Sequence, residues 1–139
     1  MTKLRILIPL DGSEKSTHSI DWLKNFYDKE DVEITLMNIA QVIYASEAEA
    51  VAVISELGIA KDSSNRVLDE AAKKLVGYDI EKLSVYGPIA DKILNEAVDG
   101  KYDMIIMTKS SVKGVSRIIG SVTSKVVRNS QVAVIVVPE

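Results

Sequence analysis

The sequence contains no cysteine. Disulfides, thiolate nucleophiles and zinc–thiolate centres are thereby excluded. It contains one histidine, His18, so neither a His-rich metal site nor a Ser–His–Asp triad can be built within one chain. Positive charge is not in excess either. Lys and Arg number 17 against 20 Asp and Glu, a formal net charge of −3, which offers no basic face for nucleic acid. No apolar window approaches the roughly 18 residues of a membrane helix. The apolar run before Asp11 is too short for a secretory signal, so a cytoplasmic protein without a membrane role is expected. No P-loop, internal repeat or low-complexity tract occurs. What remains is a chain of 139 residues, 47% hydrophobic and 27% charged, the size and mix of one soluble globular domain.

Two kinds of apolar segment alternate along it. Short, β-branched runs fall at residues 4–10, 32–40, 79–86, 102–107 and 132–137. The first, fourth and fifth are nearly continuous in Ile, Leu, Val and Met, which implies burial on both faces, as in a parallel sheet covered by helices. Between them lie segments of helical spacing: 13–27, with Ile20, Leu23 and Tyr27 on one stripe; 88–99, with Ile89, Ile93 and Ala97; and 121–128, with Val122 and Val126. Residues 47–76 read as mostly helical, with Gly58 and the polar run 61–65 expected to interrupt or bend them. Ser13 is placed to cap the first helix, and Pro88 suits a helix start. Strands alternating with helices predict right-handed crossovers. The expected fold is α/β: a three-layer, doubly wound, open, parallel five-stranded sheet with helices on both faces, Rossmann-like.

In such sheets ligands bind beyond the carboxyl ends of the strands, where the strand order switches. The first strand ends Ile8-Pro9-Leu10-Asp11-Gly12-Ser13. Asp11 at its tip is a candidate ligand group, although Asp-Gly-Ser serves equally as a helix-entry turn. The fourth strand runs from Met107 into Thr108, Lys109, Ser110, Ser111, Lys113 and Gly114, then Arg117 and Gly120-Ser121-Val122-Thr123. A hydroxyl-rich, basic loop entering a helix suits a phosphate; the alternative is a linker glycine and an N-cap. His18, on the first helix, reads as a surface or half-buried residue. Trp22 and Phe26 read as a contact face, and Glu47, Glu49 and Glu56 as a solvated one rather than a metal site.

These segments together resemble the universal stress protein family, whose fold is that of the adenine nucleotide α-hydrolases. The run Ile6 to Ser13 is similar to the family's apolar strand leading into D-G-S. Gly87-Pro88-Ile89-Ala90, with Ile93, Leu94 and Ala97, resembles the stretch before its fourth strand. Tyr102-Asp103-Met104-Ile105-Ile106-Met107 is similar to its D-L-I-V-M segment. Gly120-Ser121-Val122-Thr123, with Val126-Val127-Arg128, looks like its G-S-V-[ST] helix, and the run from Val132 to Pro138 like its closing strand. The resemblance spans nearly the whole chain, one domain over residues 1–139. It implies that Pro9, Asp11, Ile39 and Met107 line a base and ribose. It also implies that Gly120, Ser121, Val122 and Thr123 meet phosphate, with no metal ligand and no catalytic residue.

Members that bind ATP resemble the pattern G-x2-G-x9-G-[ST]. Gly120-Ser121 matches its end, but Ser110 and Met107 stand where the two earlier glycines would fall, in a loop that looks one residue short. Thr108 is read as replacing the first glycine and Ser110 or Ser111 the second, so the phosphate cradle is degraded. Two functions follow. The first is a small, non-catalytic stress-response module acting as a homodimer, with weak or no ATP binding. The alternative is a nucleotide sensor or slow ATPase that takes ATP (with Mg) or AMP through a variant Ser/Thr-rich loop. No cofactor is expected to be needed for folding. The terminal run from Val132 to Val137 is the expected dimer strand, since an exposed apolar edge invites pairing, and Ile135→Pro is expected to weaken the dimer. Other doubly wound proteins fit less well. A response regulator needs an Asp at the end of strand three, where Ser84-Val85-Tyr86-Gly87 has none, and the phosphate loops of flavodoxins and ATP pyrophosphatases are missing.

Overall fold

The computed structural model of the protein describes residues 2–41, 61–109 and 119–138. The chain opens with β1 (Leu4–Pro9), a 3-10 turn (Lys15–Thr17), α1 (His18–Phe26) and β2 (Val32–Ala40). Helical residues 61–72, here α2, run into a second 3-10 turn, Lys73–Leu75. Then follow β3 (Asp79–Tyr86), α3 (Ile89–Asp99), β4 (Met104–Thr108), α4 (Ser121–Asn129) and β5 (Ala133–Val137).

The five strands form one sheet in the order β3-β2-β1-β4-β5, and every pairing is parallel. The chain therefore starts in the middle and winds outward in both directions. Strand β1 is apolar from Ile6 onward because that part is covered on both faces: Ile6, Leu7 and Ile8 are each 0% exposed. Alternation sends Ile6 and Ile8 to a core with Ile20, Leu23, Leu68 and Leu75. It sends Leu7 to a second core with Met37, Ile93, Ile105 and Val126. Helices α1 and α2 thus cover one face, and α3 and α4 the other.

Three local expectations change. The first helix starts as a 3-10 turn, and Ser13 caps that turn: its Oγ accepts the Ser16 N–H at 3.1 Å, while Ser16 Oγ donates to the Ser13 carbonyl at 2.8 Å. The polar run 61–65 does not break α2. Ser64 is buried in phase with Leu68 and Ala71, and the Ser84 hydroxyl donates to Ser64 Oγ at 2.7 Å. Gly58 lies outside the described residues. Strand β5 is exposed at Ala133, half-buried at Val134, Ile135 and Val136, and buried at Val137, because it is a sheet edge rather than an inner strand.

Charge gathers at the amino edge of the sheet. Arg5 donates through Nη1 to Glu33 Oε2 at 2.8 Å and through Nη2 to the Gly100 carbonyl at 3.0 Å. Its backbone N–H donates to Asp103 Oδ2 at 2.8 Å.

Candidate functional site

A crevice of about 230 Å³ opens at the carboxyl edge, between the ends of β1 and β4. That is the switch point of the strand order, where consecutive connections leave in opposite directions. Strand β1 supplies Pro9 and then Leu10 and Asp11; β2 supplies Ile39; β4 supplies Met107 and Thr108; and α4 supplies Val122 and Thr123. Ser16, Ile89 and Ile93 complete the lining.

The apolar part is a slot. Ile39 on one side and Met107 and Val122 on the other face the α3 residues Ile89 and Ile93. The polar groups sit at its mouth. Asp11 is exposed, and its Oδ1 accepts the Ser13 N–H at 2.9 Å. This turn needs Gly12, whose φ is +89° and where a Cβ would stand 3.3 Å from Val67 Cγ2. Across the mouth, the Thr123 hydroxyl donates to the Thr108 carbonyl at 2.9 Å, tying α4 to the end of β4.

Helix α4 begins beside this point. Gly120 is extended, with φ −61° and ψ 156°, and its N–H donates to the Lys109 carbonyl at 2.9 Å. Among the described residues no side chain caps the helix, and its first turn holds no acidic residue. The leading N–H groups of such a helix lack intrahelical acceptors and carry the positive end of its dipole.

Seven residues singled out from the sequence therefore meet around one crevice: Pro9, Asp11, Ile39, Met107, Thr108, Val122 and Thr123. Gly120 and Ser121 stand at the start of α4, next to Val122, and do not line it. Ser110 lies outside the described residues, as do Ser111, Lys113, Gly114, Arg117 and the Glu47, Glu49 and Glu56 group. The sequence reading missed Leu10, Ser16, Ile89 and Ile93. Ile89 and Ile93 were legible as a buried stripe; that the first turn of α3 projects to the crevice needed the fold.

A second hollow, about 520 Å³, lies on the other side of the β1–α1 loop, against α2. It is larger, but none of the base-, ribose- or phosphate-binding residues that the family resemblance implies lines it. Its rim charges also engage neighbours: Lys74 Nζ is 3.6 Å from Asp21 Oδ1, and Lys73 pairs with Glu70 at 2.8 Å. His18 is half-buried on α1. The Trp22 and Phe26 rings stack 4.6 Å apart, with Phe26 exposed. Among the described residues, no three His, Asp or Glu side chains gather as metal ligands, and no helix is long and apolar enough to cross a membrane.

A parallel sheet in this order, with a slot at the switch point and the N-terminus of α4 beside it, defines a doubly wound α/β domain. The chain belongs to the universal stress protein family, whose profile matches residues 4–138. It is similar to hypothetical protein MJ0577, with 25% identity and a TM-score of 0.79, covering 100% of this chain and 98% of that one. A universal stress protein in complex with cAMP gives 19% and 0.71, covering 99% and 98%. A family protein from Arabidopsis thaliana with AMP bound gives 17% and 0.71, covering 96% and 90%. No curated protein matches the chain.

Proposed function

We propose that this chain is a non-catalytic stress-response module that binds an adenine mononucleotide in the crevice between β1 and β4. The convergence of the seven residues on one slot carries this reading. A purine would slide between Ile39, Met107 and Val122, gaining from apolar contact on both faces. Ribose hydroxyls would donate to Asp11. The phosphate would meet the leading N–H groups of α4 and the Ser121 hydroxyl, with Gly120 leaving room for close approach. Two relatives of this fold that hold cAMP and AMP support the ligand class.

A mononucleotide is favoured over ATP because Thr108, where the family pattern places a glycine, is an extended strand residue paired with Val137. Its Cβ and its place in the ladder leave it unable to act as the flexible first residue of a phosphate-wrapping loop. Mg would enter only with ATP. A fluorescent AMP analogue tests the site: saturable micromolar binding is expected, weakened at least tenfold by Asp11→Ala and less by Ser121→Ala. Binding that neither substitution changes would place the nucleotide elsewhere.

The module is further proposed to act as a homodimer through β5. That strand pairs with β4 on one side and is a sheet edge on the other, and Val134, Ile135 and Val136 are half-buried. An apolar edge of this kind is relieved by pairing with its two-fold mate.

A further inference from the structure

Strands β1 and β2 run in register from Leu4↔Val32 to Pro9↔Met37. One more ladder bond follows, from the Leu10 N–H to the Met37 carbonyl at 2.8 Å. In a regular parallel ladder the Leu10 carbonyl would next accept the backbone N–H of Ile39. What it accepts is the side-chain amide of Asn38, whose Nδ2 donates at 2.7 Å. Strand β2 does not stop there: it stays paired with β3 through Ile39↔Val85 and Ala40↔Tyr86. The two strands therefore part at Asn38, and beyond that point Leu10 and Asp11 line the crevice from β1 while Ile39 lines it from β2.

Asn38 is 8% exposed. By strand alternation it lies on the sheet face opposite Ile39, away from the slot. It cannot touch a ligand there, yet it fixes the β1 side of the crevice. The Leu10 carbonyl and the Asp11 N–H belong to one planar peptide, so holding the carbonyl orients the peptide that leads into Asp11. A buried amide is itself held in place, because swinging away would strand its own polar groups.

We propose that Asn38 is a positioning residue for the crevice: its amide replaces a backbone ladder bond, parts β1 from β2, and sets Asp11 against Ile39. The inference rests on the nucleotide reading above and deepens it, since it assigns Asn38 to the adenosine half of the ligand and not to the phosphate half. The test uses Asn38→Leu, which keeps the volume and removes the donor, with Asn38→Ala as a second variant should the first fail to fold.

Two readouts are needed. In the unliganded protein, amide exchange of Asp11 to Ser16 should quicken about tenfold, the order expected for one lost hydrogen bond, while β1 and β4 stay protected. In calorimetry with AMP and with adenosine, both affinities should fall by about tenfold. In an Asp11→Ala background the further loss should shrink to under about twofold, whereas in a Ser121→Ala background it should remain in full, the signature of coupling to Asp11 alone. An equal loss in both backgrounds, or unchanged exchange in the 11–16 segment, would overturn the assignment. Failure of the wild-type protein to bind AMP would overturn the nucleotide reading instead, and the exchange result alone would then decide whether Asn38 holds the loop.

Discussion

The Ser19 hydroxyl is fully buried in α1 and finds no hydrogen-bond partner among the described residues. An unpaired buried hydroxyl opposes folding, and alanine is also the better helix former. Ser19→Ala should therefore raise stability by about 1 kcal/mol, read as a higher urea midpoint; a lower midpoint would mean that the hydroxyl is satisfied. Tyr102 shows the opposite bookkeeping. Its hydroxyl donates to Glu96 Oε2 at 3.0 Å, and the Arg5 guanidinium lies 5.0 Å above its ring. Burial, foremost, and then Glu96 push its pKa above the ordinary 10.0, while a Thr35 hydrogen bond and Arg5 pull the other way. The folded chain thus keeps this proton to higher pH than the unfolded chain does. The stability it contributes is complete below the ordinary value and is lost as pH climbs from there through the raised one. Urea midpoints measured from about pH 8 to about pH 11 should fall less steeply in Tyr102→Phe than in the wild type. Parallel declines would show that Tyr102 is not a source of the alkaline loss.

Among the elements, the strands were the most legible from sequence. Val32–Ala40 and Asp79–Tyr86 stand where the apolar pattern put them, and β1, β4 and β5 differ only at their ends. Continuous apolarity correctly marked β1 and β4 as inner strands, because such runs are stable only when both faces are covered. For β5 the edge position agrees with the sequence reading, while the full burial of both faces that its continuous apolarity implied does not appear. In α2 the polar run 61–65, expected to interrupt or bend a helical stretch, is itself helical, since Ser64 occupies a buried position of the helical repeat while counting as polar. Edge geometry also changes how the dimer should be tested. The Val137 carbonyl accepts the Lys109 N–H at 2.9 Å, so it faces the β4 side. Backbone groups alternate along a strand, so those of Ile135 face β4 too, and those of Val134 and Val136 face outward. Proline at 135 would break the sheet itself, contrary to its use as an edge probe. Val134→Pro removes an outward N–H that none of the described strands uses. Light scattering should show a dimer for the wild type at tens of micromolar and a folded monomer for Val134→Pro. A dimer that survives this change would not be held through β5.

For the whole molecule, the site was legible to the extent that its residues lie in short motifs at strand ends. Asp11 and Met107 announce themselves at the tips of apolar runs. Ile39 came only through family resemblance, and Ile89 and Ile93 only through the fold, because the same α3 stripe serves core and crevice together. This shared use has a thermodynamic consequence. The slot is built from β1, β2, β4, α3 and α4 at once, so a ligand filling it binds the folded chain and not the unfolded one. Binding of that kind stabilises by mass action, by about 2.7 kcal/mol at a hundred times the Kd. For a domain of this size the unfolding midpoint should rise by roughly 8–10 °C. AMP at that excess should produce this shift, and Asp11→Ala should abolish most of it. ATP is the sharper comparison. If Thr108 leaves the β- and γ-phosphates without a cradle, they gain little beyond the α-phosphate held at α4, and ATP and AMP should shift the midpoint alike at equal concentration. A shift with Mg-ATP exceeding that with AMP by more than about 4 °C, equivalent to more than about tenfold in affinity, would mean that the segment between Lys109 and Gly120 grips a polyphosphate without the family's glycines.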